Sequence, residues 1–81
     1  MADPHSEMVV RCIVERLGLK RPPPVETRLI DLEMDSLDIV ELVVDIEKEL
    51  NVLIPEEDVV EEITVGQLIA TVKNHASDSA Q

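Results

Sequence analysis

Four carboxylates and one hydroxyl crowd the stretch Asp31-Leu32-Glu33-Met34-Asp35-Ser36-Leu37-Asp38. Several kinds of chemistry use such a set. Asp31, Glu33 and Asp35 take positions 1, 3 and 5 of a calcium loop. Position 6, which needs Gly, is Ser36, and position 12, which needs a bidentate Glu, is Leu42, so the register fails where it matters most. Loose divalent binding fits these acids better, and no metal-ligand set is assigned. A hydrolytic serine needs a base and an oxyanion hole. The flanks of Ser36 are not G-x-S-x-G, and the only histidines, His5 and His75, fall in terminal segments expected to fray. No catalytic residue is assigned. Two readings of Ser36 stay open. It can be a first-turn residue that only helps to start a helix. It can also be an attachment point, since a phosphodiester at a helix start meets unpaired backbone N–H groups and a favourable dipole. The neighbouring acids oppose a phosphate, which suits them to recruiting a cation or a basic partner.

Ser36 needs a helix behind it. The pattern predicts one from Ser36 to about Leu50, with Asp35 as N-cap and Asp38 adding negative charge to the first turn. Ile39, Leu42, Val43, Ile46 and Leu50 form one apolar stripe, and Leu37, Val40 and Val44 form a second. Asp38, Glu41, Asp45, Lys48 and Glu49 make the polar face, and Asn51 ends the helix. A first helix is expected to start at Asp3-Pro4 or Ser6, bury Val10, Ile13, Val14 and Leu17, and stop at Gly18; Cys12 lies roughly opposite that stripe. Pro22-Pro23-Pro24 cannot continue a helix. They open a long connection to about Met34, pinned to the core by Leu29, Ile30 and Leu32. Pro55-Glu56-Glu57-Asp58 reads as the first turn of a short third helix ending near Glu62. Thr64 and Gln67 form a capping box for a fourth, whose stripe is Val65, Leu68, Ile69 and Val72. The expectation is an all-α, four-helix bundle with a short third helix and a long loop between helices one and two. It forms a single domain over residues 1–81, ordered from about 5 to 75.

With no Phe, Tyr or Trp, the core must be aliphatic and base stacking is excluded. A net charge of −11 repels nucleic acid and anionic membrane surfaces. The charge is uneven: residues 31–62 hold thirteen acids and one base, Lys48, whereas residues 1–30 are nearly balanced. That half is either a docking surface for basic partners or a solvated face. One cysteine excludes an internal disulfide and a cysteine-based zinc site. No run approaches the roughly 20 apolar residues of a membrane span, and no signal peptide is visible. The expectation is a soluble, cytoplasmic monomer without membrane insertion.

The stretch Asp31-Leu32-x-x-Asp35-Ser36-Leu37-Asp38-x-Val40-Glu41-Leu42-Val43 resembles the prosthetic-group site of acyl carrier proteins. The likeness continues through Ile54-Pro55-Glu56-Glu57 and Ile63-Thr64-Val65, and covers about Leu17 to Val72. It implies a four-helix bundle that is not itself an enzyme. It implies that Ser36, flanked by Asp35 and Leu37, receives 4′-phosphopantetheine from coenzyme A through a phosphopantetheinyl transferase with Mg²⁺. The arm's thiol would hold acyl groups as thioesters for enzymes of fatty-acid, polyketide or specialised lipid synthesis. Asp38, Glu41, Glu47 and Glu56 would form an acidic face for basic docking patches, with Val40 and Val44 as its apolar part. The stripes of helices one, two and four would enclose a cavity for the acyl chain. Glu33 stands where the family usually has Gly, Arg28 where an aromatic residue often packs, and Asp45 and Lys48 alter the usual charge pattern of helix two. The alternatives are an aminoacyl or aryl carrier of the same fold, and an unmodified acidic adaptor in which Ser36 is only a cap.

Overall fold

A computed structural model describes residues 4–79; for Glu56 and residues 77–79 it describes the backbone alone. Three α-helices form: α1 (Pro4–Leu17), α2 (Ser36–Leu50) and α3 (Val65–Ser79). Two 3₁₀ turns, Leu29–Leu32 and Glu56–Asp58, lie in the connections. Among the described residues there is no strand, only an isolated antiparallel bridge between Arg28 and Thr64.

The helix ends follow from local chemistry. Gly18 takes φ 65 after α1, and the Leu19 N–H donates to the Val14 carbonyl at 3.0 Å, which closes a Schellman stop. Asn51 does the same for α2 at φ 56, with the Val52 N–H donating to Glu47 O at 3.2 Å. At α3 the Gln67 N–H donates to Thr64 Oγ1 and the Thr64 N–H to Gln67 Oε1, both at 3.0 Å. That is the capping box expected from the sequence.

Val9, Ile13, Leu29, Leu42, Ile46, Val65, Leu68 and Val72 are fully buried in an aliphatic core. The α2 stripe is as expected: Ile39, Leu42, Val43 and Ile46 are buried and Leu50 packs against them. The α1 stripe is rotated. Val9, Cys12 and Ile13 are its buried residues, Val10 and Leu17 sit at the edge, and Val14 is half-buried. The expectation that Cys12 points away is therefore corrected: it is 7% exposed. Val9, Cys12 and Ile13 fall at i, i+3, i+4 spacing on the face that meets the core, and Arg16, one turn further along, pairs with α2 at the edge of that face. Burial first, and then the carboxylates of Asp45, Glu49 and Glu15, push the Cys12 thiol up. A protonated, buried thiol is inert.

The short third helix is also corrected. Only the 3₁₀ turn Glu56–Asp58 forms, so the described bundle has three helices rather than four. The chain around that turn is pinned by buried Val52, Ile54, Val59 and Ile63, and its backbone serves another partner. The Leu29 N–H donates to Ile63 O at 2.9 Å and the Ile30 N–H to Glu61 O at 3.0 Å. The Val65 N–H donates to Thr27 O and the Gly66 N–H to Val25 O, both at 2.8 Å. The two long connections thus hold each other. Gly66 permits the approach, since a Cβ there would lie 3.3 Å from the Val25 carbonyl oxygen. Leu29 and Met34 anchor the first connection; Ile30, expected to help, is 44% exposed. Helix α3 runs on through His75, whose ring meets Asp58 at 3.0 Å, so the expected fraying at His75 is not found. His5 likewise lies inside α1, in a segment expected to be loose. Met1–Asp3, also expected to be loose, lie outside the described residues.

Candidate functional site

Ser36 is the first residue of α2 and is exposed. The chain reaches it in three steps. Glu33 leaves the first 3₁₀ turn in the left-handed region at φ 63, its N–H donating to Ile30 O at 3.1 Å. Met34 is then driven into the core at 2% exposure. Asp35 caps α2: its Oδ1 accepts the Asp38 N–H at 2.9 Å, and Asp38 Oδ2 accepts the Asp35 N–H at 3.4 Å. A buried anchor and a reciprocal cap fix the backbone on both sides of the hydroxyl. The turn that a Gly would make easily is kept with Glu33, at a backbone cost of about 1 kcal/mol.

The Ser36 hydroxyl donates to Glu61 Oε2 at 3.2 Å. Beyond it lies a shallow depression of about 310 Å³, lined by Ser36, Ile39, Val40, Val59, Val60, Glu61 and Glu62. A second crevice, of about 70 Å³, lies between Ile39, Val40, Val43, Val44 and Glu47 of α2 and Ile54 and Val59 of the second connection. This differs from the cavity expected among helices one, two and four: its far wall is a connection, not a helix. Val40 and Val44 edge these hollows at 41% and 38% exposure, and Leu37, in the first turn of α2, is 65% exposed.

The acids expected to form a recognition face have other contacts. Asp38 belongs to the cap. Glu41 accepts from Arg16 at 2.8 Å, and Asp45 accepts from two nitrogens of the same guanidinium at 2.7 and 3.1 Å. The hydrogen bond to Asp45 is the main cause that pushes Arg16 up. Glu47 accepts the Ile54 N–H at 2.8 Å and holds the start of the second connection on α2. Glu56 stands in the second 3₁₀ turn, and its side chain lies outside the described part. Arg28, at the expected aromatic position, grips Asp31 at 3.1 and 3.2 Å. That hydrogen bond holds the Asp31 carboxyl below its usual range. Among the described residues no three His, Cys, Asp or Glu side chains converge on a metal position. Sequence reasoning missed two site residues, Glu61 and Arg16. Each meets its partner only across 25 or more residues, and no local spacing signals such a contact.

Residues 7–72 match the family described as the phosphopantetheine attachment site. The chain belongs to that family. No solved structure matches it. The family domain is the attachment site of a covalent 4′-phosphopantetheine, so the protein is a phosphopantetheine-carrying carrier protein. Carriers of this kind are typically non-catalytic, and their partners are a phosphopantetheinyl transferase and biosynthetic enzymes. Among the described residues, no helix of this carrier is long and apolar enough to cross a membrane. The geometry at Ser36 suits the group. The hydroxyl is exposed, and the N–H groups of Ser36 and Leu37 open the helix without acceptors inside it. The depression beside them offers an apolar bed for an extended arm.

Proposed function

We propose that Ser36 carries the 4′-phosphopantetheine and that the cargo is an acyl group. One observation carries the assignment. Ser36 is the sole serine between residues 7 and 72, the span that matches the family, and its hydroxyl is exposed on a rigidly capped helix start. The threonine hydroxyls before and within α3 are poorer candidates: Thr64 is spent in the cap and Thr71 donates to the Gln67 carbonyl at 3.0 Å. Asp35 sets the backbone around Ser36, and Leu37 presents an apolar contact beside it. When bound, the arm supplies a thiol that holds cargo as a thioester. The chain's own part is to position the arm, shelter the cargo and display the complex.

An acyl cargo is supported by the crevice, whose walls apart from Glu47 are Ile and Val side chains. Its volume holds only a small group, so longer chains require the second connection to move off α2. The partner face in this reading runs along Leu37, Val40 and Val44, with Asp38, Glu41, Glu47 and Glu56 drawing basic patches to it. The protein acts as a cytoplasmic monomer of one domain spanning residues 1–81. Intact mass after incubation with coenzyme A, Mg²⁺ and a broad-specificity phosphopantetheinyl transferase tests the assignment. One added phosphopantetheine, absent in Ser36→Ala, is the expected result. A gain retained in Ser36→Ala would overturn it. Transfer of fatty acyl groups in preference to amino acids or aryl acids, in loading assays with the matching activating enzymes, tests the cargo.

A further inference from the structure

We propose that Glu61 senses the state of Ser36 and couples modification to release of the second connection from α2. This rests on the reading of Ser36 as the attachment residue. In the unmodified chain the Ser36 hydroxyl is a donor and the Glu61 carboxylate accepts from it at 3.2 Å. The contact joins the first residue of α2 to the segment between the second 3₁₀ turn and α3. The same segment is tied to the first connection, because Glu61 O accepts the Ile30 N–H and Ile63 O accepts the Leu29 N–H. Val59, Val60 and Glu61 form one wall of the depression, and Ser36, Ile39 and Val40 form the other. One hydrogen bond thus spans a hollow whose walls are otherwise Ile39, Val40, Val59 and Val60, with Glu62 at the rim.

Attachment of the arm changes the sign of that contact. In the transferase reaction Ser36 Oγ bonds to the pantetheine-bearing phosphorus of coenzyme A, the pyrophosphate P–O bond breaks, adenosine 3′,5′-bisphosphate leaves and the hydroxyl proton passes to solvent, so that a phosphodiester anion stands where the donor stood. Glu61 then faces an anion. The depression's lining includes no Lys or Arg to compensate, and Glu62 adds a further negative charge at its rim. Asp35 and Asp38, on the other side of Ser36, are bound to the backbone of the cap and stay in place. The strain falls on the segment around Glu61, which has no helix of its own between residues 59 and 64 and is held by buried Val59 and Ile63 and by its bonds to Leu29 and Ile30. Its departure widens the hollow from which the arm now projects. Two unit charges about 4 Å apart in a water-like medium are worth roughly fivefold in such an equilibrium.

The substitution Glu61→Gln separates this charge effect from shape. The amide it introduces still accepts from the unmodified hydroxyl and can donate to a phosphodiester, so the contact stays attractive in both states. The experiment compares amide hydrogen exchange at Leu29 and Ile30, before and after loading by coenzyme A and transferase, in the original chain and in Glu61→Gln. Loading is verified by intact mass, and the Val43 amide inside α2 serves as reference. The expected result is exchange at Leu29 and Ile30 faster by roughly fivefold on loading, with little change in Glu61→Gln. A loaded original chain with unchanged exchange, or an equal change in Glu61→Gln, overturns the switch while leaving the carrier reading intact. Failure of the original chain to gain mass overturns both.

Discussion

The two flanks of α2 are built differently. Towards α1 lies a seam of fully buried Val9, Ile13, Leu42 and Ile46, with Cys12 at its edge and Arg16 clamping Glu41 and Asp45 from above. Towards the second connection lies a flank where buried Ile54 and Val59 meet α2 and two single hydrogen bonds cross, Ser36 to Glu61 and the Ile54 N–H to Glu47. Hollows lie between those bonds, edged by exposed valines. The first flank is a helix packed on a helix. The second is a helix facing a connection, because the expected third helix is reduced to one 3₁₀ turn. In the proposed reading the first flank would fix the start of α2, and the second would be the side that opens around cargo.

The largest expected contrast between the flanks is in stability. Leu42→Ala in the seam should cost about 2–5 kcal/mol, a large part of the total for a domain this small. Val40→Ala on the open flank should cost under about 1 kcal/mol, because the side chain is already 41% exposed. Urea unfolding compares them, and equal losses would abolish the distinction. Next comes the corner where the flanks meet. Asp35→Ala should cost about 0.5–2 kcal/mol through loss of the cap. Ser36→Ala should leave the melting temperature nearly unchanged while abolishing loading, and a larger loss in Ser36→Ala would make the serine chiefly structural.

Glu41 sharpens the comparison because it pairs with Arg16 on the first flank and, in the proposed reading, also draws basic partners. Glu41→Gln should slow loading by roughly two- to tenfold at low salt, with the gap closing as salt rises. Unchanged kinetics at low salt would confine Glu41 to its pair with Arg16. The smallest effect is at the Arg28–Asp31 pair, away from both flanks. Arg28 depresses the Asp31 carboxyl below its ordinary 3.8. The pair therefore contributes stability above that value and loses it as pH falls through the lower folded value. The melting-temperature gap between the original chain and Asp31→Asn should shrink as pH is lowered from about 5 to about 2. A constant gap would show that Asp31 acts through something other than its charge.

Much of this was legible without the fold. Asp35, Thr64, Gln67, Gly18 and Asn51 all act where their types and positions place them, as do the α2 stripe and Ser36 at the helix start. Glu33 keeps the left-handed turn expected of a Gly, so the turn is imposed by its surroundings rather than by the residue. Pro55-Glu56-Glu57-Asp58 misled: it carries a good helix start, but only the 3₁₀ turn Glu56–Asp58 forms, and the chain after it pairs with Leu29 and Ile30.

The chain by itself determined its caps, its helix stops, its main apolar stripe and the serine at the start of α2, because each depends on local sequence and helical periodicity. Tertiary structure alone decided that α1 turns Cys12 inward and that Arg16 takes up Glu41 and Asp45. It also decided that the two connections pair and that Glu61 meets Ser36. Those contacts join residues far apart in sequence, where loop-closure entropy opposes them. They form only because burial of the aliphatic core has already brought the segments together.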